Sequence, residues 1–144
     1  MNRQLQKIMM VEDDPDIQSV ASFALEAVGG FQVAVCSSGP QALEQVEGFA
    51  PDLLLLDVMM PGMDGPTLLE FLRARPSTAH LPIVFMTAKA QPHEVEGYKS
   101  LGALDVVTKP FSPMILSDTL LAIWNRAQNP APATAPFAGT EGGR

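Results

Sequence analysis

The chain has 144 residues, and 47% of them are hydrophobic, which suits one domain with its own core. Sixteen acidic and nine basic residues give a formal net charge of −7. Such a chain repels a phosphate backbone, so we expect no direct nucleic-acid partner. No apolar run approaches the roughly 20 residues that span a bilayer, no signal peptide is recognisable, and the single cysteine, Cys36, excludes an internal disulfide. We therefore expect a cytoplasmic protein without a membrane partner.

Short apolar runs alternate with amphipathic segments up to about residue 126. Continuous runs of this kind predict strands that are buried on both faces of a parallel sheet. The predicted strands are Ile8–Val11, Phe31–Val35, Leu53–Leu56, Ile83–Met86 and Leu104–Val107.

The segments between the runs predict five helices. The first begins at Asp14 and Pro15, a favourable N-cap and first helical residue, and ends at Gly29-Gly30. Its apolar residues are spaced as on one helical face: Ile17, Val20, Ala21, Ala24 and Val28. The others are expected near Pro40–Val46, Pro66–Arg73, Pro92–Leu101 and from Leu116 to Ala127, with Trp124 half-buried.

This alternation predicts an α/β fold, a doubly wound five-stranded parallel sheet with helices on both faces. Residues 1–127 would form the domain. Residues 128–144, rich in Pro, Ala and Gly, would form a flexible tail or linker.

Chemically active side chains follow four of the five predicted strands. Glu12 and Asp13 follow the first, Asp57 the third, Thr87 the fourth and Lys109 the fifth. Because ligands of doubly wound sheets bind beyond the carboxyl ends of the strands, we expect these side chains to converge. Clustered carboxylates are suitable ligands for Mg²⁺. A carboxylate beside a metal, a hydroxyl and an ammonium group is suited to attack phosphorus and accept a phosphoryl group.

Between about residues 6 and 127 the sequence resembles the receiver domain of two-component response regulators, of the chemotaxis-regulator type, either stand-alone or excised from a longer chain. The resemblance rests on Leu-Leu-Leu-Leu-Asp57-Val-Met-Met-Pro-Gly-Met-Asp-Gly65, Thr87-Ala88 and Lys109-Pro110-Phe111. It implies a flavodoxin-like sheet with strand order 2-1-3-4-5. It also implies a phosphoacceptor domain that catalyses only its own phosphorylation and dephosphorylation, and is not otherwise an enzyme.

The resemblance assigns roles to the site residues. Asp57 would accept the phosphoryl group, while Thr87 and Lys109 would contact its oxygens. Mg²⁺ would be held by Glu12, Asp13, Asp57 and the backbone carbonyl of Met59. The Lys109–Pro110 peptide bond would be cis.

Two residues depart from this pattern or tune it. In the family, Thr87 and an aromatic residue two positions before Thr108 would form the switch that links phosphorylation to the output surface. Here that position holds Val106, so we expect the output surface to respond less to phosphorylation. Met59 would border the path of the attacking water. Because it is apolar, we expect slow autodephosphorylation.

The resemblance also implies partners. The phosphodonor would be a sensor histidine kinase or a histidine phosphotransfer protein. A downstream protein would bind the face formed by the fourth helix, fifth strand and fifth helix, and the chain would be a monomer or a phosphorylation-dependent dimer.

Three other classes of protein share part of this pattern. A dinucleotide-binding domain needs a glycine-rich first turn, where this chain has Glu12-Asp13-Asp14. A phosphohydrolase of the haloacid-dehalogenase kind needs a second Asp where this chain has Met59. The remaining alternative is a receiver-fold docking scaffold that works without phosphorylation.

Overall fold

The computed structural model describes residues 3–129 and contains the predicted alternation of strands and helices. The strands are β1 (Lys7–Val11), β2 (Gln32–Cys36), β3 (Leu53–Asp57), β4 (Ile83–Thr87) and β5 (Asp105–Thr108). The helices are α1 (Pro15–Phe23), α2 (Gly39–Phe49), α3 (Gly65–Ala74), α4 (Pro92–Leu101) and α5 (Leu116–Gln128). Apart from Gln128 and Asn129, the predicted tail lies outside the described residues. Within residues 3–129, no helix has the length and apolar character needed to cross a membrane.

The five strands form one parallel sheet in the order β2-β1-β3-β4-β5. The expected flavodoxin-like fold is therefore confirmed. Parallel pairing places the carboxyl ends of all strands at one edge. There Val11 pairs with Leu56, Asp57 with Met86, and Thr87 with Thr108.

Burial differs between the central and the edge strands. Every residue of β3 and β4 is buried, as the continuous apolar runs predicted. The same prediction is wrong for β2 and β5, each of which has one buried residue and otherwise partly buried or exposed ones. Both are edge strands and the helices cover them incompletely. The first residues of the two predicted runs, Phe31 and Leu104, lie just before these strands.

Three of the helices that follow strands begin with a capping side chain and a proline in the first turn. The side chain of Asp14 accepts a hydrogen bond from the amide of Asp16 at 2.8 Å. Asp64 does the same for α3, accepting from the amide of Thr67 at 2.8 Å. Hydrogen bonds from the Thr67 side chain and amide lower the pKa of Asp64. The caps thus fix the point where the chain turns from the carboxyl end of a strand into the helix that packs on the sheet.

The predicted buried face of the first helix is confirmed only in part. Ala21, Ala24 and Leu25 are buried, whereas Val20 and Val28 are exposed. At Leu25 and Val28 the difference has a local cause, because α1 continues into a π-helical segment, Ala24–Val28, whose wider turn shifts these residues around the axis. The carbonyl of Ala24 accepts from the amide of Gly29 and from the hydroxyl of Ser117, a buried residue of α5, at 3.1 and 2.7 Å.

Trp124 is fully buried, so the expected half-burial is wrong. Its indole Nε1 donates to the carbonyl of Arg3 at 2.9 Å, and the guanidinium of Arg3 lies over its ring. Arg3 also pairs with Asp52. The helical pattern of α5 predicts a partly exposed indole, but the segment that precedes β1 covers it.

Candidate functional site

A buried ion-pair cluster lies at the carboxyl edge of the sheet. The Nζ of Lys109 is 2.8 Å from Oε1 of Glu12 and 3.1 Å from Oδ1 of Asp57. The side chains of Glu12 and Asp57 are 1% and 7% exposed, and that of Lys109 is 17% exposed. The three charges come from the ends of β1, β3 and β5, so only the folded sheet brings them into contact.

The two carboxylates are held by backbone groups as well as by the lysine. Oε2 of Glu12 accepts from the amide of Asp14 at 3.1 Å, and Oδ1 of Asp57 accepts from the amide of Met59 at 3.3 Å. These bonds partly replace the water that burial removes from a carboxylate. They also orient the remaining oxygens of the cluster.

The pKa of Lys109 reflects this environment. Burial by itself lowers the pKa of the ammonium group, but hydrogen bonds and charge from Glu12 and Asp57 outweigh it. The net effect raises the pKa of Lys109 above its usual value. A permanent positive charge therefore lies next to the Asp57 carboxylate at neutral pH.

The carboxylates also suit a divalent cation. Carboxylate oxygens of Glu12, Asp13 and Asp57 all lie within 4.8 Å of one another, and Asp13 is the exposed member of the group. Three oxygen donors around one point, one of them open to solvent, fit a hard cation that keeps part of its water shell, as Mg²⁺ does. The chemistry of the donor set thus agrees with the expected cofactor.

The other predicted site residues lie on β4 and β5 or just after β3. Thr87 is buried at the end of β4, and its Oγ1 accepts from the amide of Lys89 at 3.0 Å. Met59 is 66% exposed and follows Asp57 in the loop after β3. Val106 is partly buried on β5, where it pairs with Phe85. The Lys109–Pro110 bond is cis, as expected.

Gly65, which ends the motif that begins before Asp57, is the first residue of α3 and part of the site. Its amide donates to the carbonyl of Val58 at 2.9 Å. A Cβ at this position would lie 2.5 Å from the backbone oxygen of Asp57 and 3.1 Å from the ring of Phe85. Only glycine allows α3 to start this close to the end of β3.

We therefore expect Gly65→Ala to destabilise the fold by about 2 kcal/mol, since the added methyl overpacks against backbone atoms. Urea unfolding measures the change. Gly97→Ala is the matched control, because Gly97 is also helical but has open space around it. It should stabilise α4 by about 0.5–1 kcal/mol. Equal effects of the two substitutions would contradict this account of Gly65.

An apolar groove next to the cluster was also missed. A cavity of about 330 Å³ lies between α1 and the loop after β5, and its walls include Ile17, Val20, Lys109 and Phe111. The helical spacing of Ile17 and Val20 predicted that both lie on the buried face of α1, and for this reason the sequence did not indicate a groove here. One wall of the groove is formed by Lys109, whose ammonium group contacts Asp57.

Comparison with known proteins gives consistent matches. The family described as response regulator receiver domain matches residues 8–121. The DNA-binding response regulator MtrA of Mycolicibacterium smegmatis is 41% identical over 113 residues, which cover 78% of this chain and 48% of MtrA. The alkaline phosphatase synthesis transcriptional regulatory protein PhoP of Bacillus subtilis is 36% identical over 89% of this chain and 52% of its own length. The solved chemotaxis response regulator CheY4 of Vibrio cholerae superimposes with a TM-score of 0.76 at 28% identity, covering 83% of this chain and 99% of CheY4.

These relatives correct one expectation. We expected no nucleic-acid partner because the chain is acidic, but MtrA and PhoP are named as DNA-binding and transcriptional regulators. The chain spans about half the length of these curated relatives. The net charge of −7 applies only to these 144 residues, so it does not exclude DNA binding by a whole regulator. The partner prediction was therefore wrong in this respect.

Proposed function

This chain belongs to the response regulator receiver domain family, and on that basis we propose that it accepts a phosphoryl group on Asp57 from a phosphohistidine donor. One observation carries the proposal. Asp57 is a buried carboxylate in direct contact with the ammonium group of Lys109, at the edge of the sheet where two further carboxylates converge. We also infer that this reaction takes place in the cytoplasm, in keeping with the family.

In the proposed reaction, a carboxylate oxygen of Asp57 attacks phosphorus. The new P–O bond forms while the P–N bond of the phosphohistidine breaks, and its electron pair stays on the imidazole. Lys109 neutralises charge on the phosphoryl oxygens, and Glu12 holds Lys109 in position. Thr87 would donate its hydroxyl to a phosphoryl oxygen. Mg²⁺, bound by Glu12, Asp13, Asp57 and the Met59 carbonyl, would supply further positive charge to those oxygens.

Intact-mass spectrometry with a small phosphodonor tests the proposal. We expect one added phosphoryl group with Mg²⁺ and none after chelation of the metal. Reductive trapping of the acyl phosphate followed by peptide mapping should locate the label on Asp57. If a control receiver is labelled and this chain is not, the proposal fails and a docking scaffold without phosphorylation becomes the better interpretation.

The apolar groove supports a protein as the natural donor. Val20, which lines the groove together with Lys109, is 43% exposed, and Phe23 on the same helix is 56% exposed. Large exposed apolar side chains near a reactive group are typical of a protein-binding surface. We propose that the phosphohistidine protein packs against this face while its imidazole reaches Asp57.

We expect Val20→Glu to slow phosphotransfer from a protein donor by about tenfold, since a charge in the contact would cost about 1.4 kcal/mol of binding. Labelling by the small phosphodonor should not change. The matched control is Val28→Glu, because Val28 is also exposed but lies at the far end of the same helical segment. A loss with both donors, or with both variants, would contradict a docking role for Val20.

We further infer that phosphorylation changes a protein-binding surface and, in the whole protein, controls an action at DNA. The support for DNA is the naming of the relatives MtrA and PhoP. A gel-shift assay with the natural gene product, with and without a phosphodonor, measures this. Equal DNA binding in the two states would contradict control by phosphorylation.

A further inference from the structure

We propose that Met59 is a site of reversible oxidation and that its sulfoxide shortens the lifetime of the phosphoryl group on Asp57. This inference rests on the proposed function. It assigns Met59 a regulatory chemistry of its own, in addition to the backbone carbonyl expected to bind metal.

Exposure distinguishes Met59 from most methionines of the described chain. Its side chain is 66% exposed, although it follows a fully buried strand by only two residues. Among residues 3–129, the other methionine with comparable exposure is Met114, at 64%, in the loop before α5. The remaining ones are buried or partly buried, and they are Met9, Met10, Met60, Met63 and Met86. A dissolved peroxide therefore reaches the sulfur atoms of Met59 and Met114 first.

The position of Met59 gives its oxidation a consequence that oxidation of Met114 lacks. The backbone amide of Met59 donates to Oδ1 of Asp57, so this residue lies next to the acceptor carboxylate. As a thioether, the exposed side chain is a poor hydrogen-bond acceptor and covers the loop with apolar surface. It offers little to hold a water molecule near a phosphorylated Asp57.

The chemistry is a two-electron oxidation by a peroxide. One oxygen atom of hydrogen peroxide forms a bond to Sδ as the O–O bond breaks, and the other oxygen leaves as water. The thioether becomes a sulfoxide, a strongly polar group with a good acceptor oxygen. A sulfoxide reductase restores the thioether, with two thiols oxidised to a disulfide and one water released.

The sulfoxide oxygen would accept a hydrogen bond from a water molecule at the mouth of the site. A held water attacks phosphorus more often than one that diffuses freely, because its orientation is already set. Hydrolysis of the acyl phosphate would then quicken, so an oxidising pulse would erase the signal without a phosphatase.

The test combines peptide mapping with the decay of phosphorylated protein. After limited hydrogen peroxide, we expect sulfoxide at Met59 and Met114 and a phosphoryl lifetime shorter by roughly threefold or more. Treatment with a methionine sulfoxide reductase should restore the lifetime. Met114→Leu should behave as the parent does, and Met59→Leu should keep its lifetime under peroxide. Met59→Gln, which carries a permanent amide oxygen, should be short-lived without any oxidant.

The outcomes separate this inference from the proposed function. If the untreated parent is not labelled at Asp57, the proposed function fails, and this inference fails with it. If the parent is labelled but Met59 stays unoxidised, the inference alone is overturned. The same holds if peroxide shortens the lifetime of Met59→Leu as much as that of the parent.

Discussion

Asp57→Asn is expected to take up no phosphoryl group from either a small phosphodonor or a phosphohistidine protein. The amide has nearly the shape of the carboxylate but lacks a nucleophilic oxygen anion, so the P–O bond cannot form. The variant should remain folded, because the asparagine side chain still fills the space at the end of β3 and can accept a hydrogen bond from Lys109. Intact-mass spectrometry measures uptake, and circular dichroism checks the fold.

Asp64→Asn is the matched control for this substitution. Asp64 lies at the end of the loop that follows Asp57, where it caps α3. Asparagine caps helices about as well as aspartate does. This variant should be labelled at the rate of the parent. Uptake of one phosphoryl group by Asp57→Asn would show that the acceptor is another residue.

Lys109→Gln should slow phosphoryl uptake by about 100-fold, the usual effect of removing one preorganised charge from developing negative oxygens. It should also destabilise the metal-free protein by about 3 kcal/mol, because the carboxylates of Glu12 and Asp57 stay buried without their cation. Rates of labelling and urea unfolding with a chelator present measure the two effects. Unchanged stability would show that the ion pairs add nothing to the fold.

The matched control is Lys89→Gln, which removes an exposed lysine from the loop after β4. This substitution should leave both the rate of labelling and the free energy of unfolding nearly unchanged. The pKa of Lys109 is raised, so its ion pairs contribute fully below the pKa of an unfolded lysine, 10.5, and are lost as the pH rises through the higher folded value. The stability difference between parent and Lys109→Gln should therefore be constant at neutral pH and shrink only at strongly alkaline pH.

The sequence predicted the number, type and order of the elements because their signals are local. Apolar runs of four or five residues mark β3 and β4 without ambiguity, and Asp14 and Asp64 mark helix starts. Convergence of Glu12, Asp57 and Lys109 followed from a general property of parallel sheets, whose carboxyl ends share one edge. Their roles in phosphotransfer remain proposals.

Predictions that depended on the surroundings of an element were less accurate. The helical pattern of α1 could not reveal the π-helical turn, which a hydrogen bond from Ser117 of α5 supports. Half-burial of Trp124 was wrong because the segment around Arg3 covers it. The exposure of β2 and β5 depends on their place at the edges of the sheet, which apolar content does not encode.

By itself, the sequence determined which residues could carry the chemistry, since carboxylates, a hydroxyl and an ammonium group follow four of the five strands. Tertiary structure alone decided the distances among them, the raised pKa of Lys109 and the close approach that requires Gly65. It also decided that Val20 and Met59 face solvent beside the site. The physical reason is that burial and charge coupling depend on neighbours distant in the chain, whereas helix and strand signals depend on residues a few positions apart.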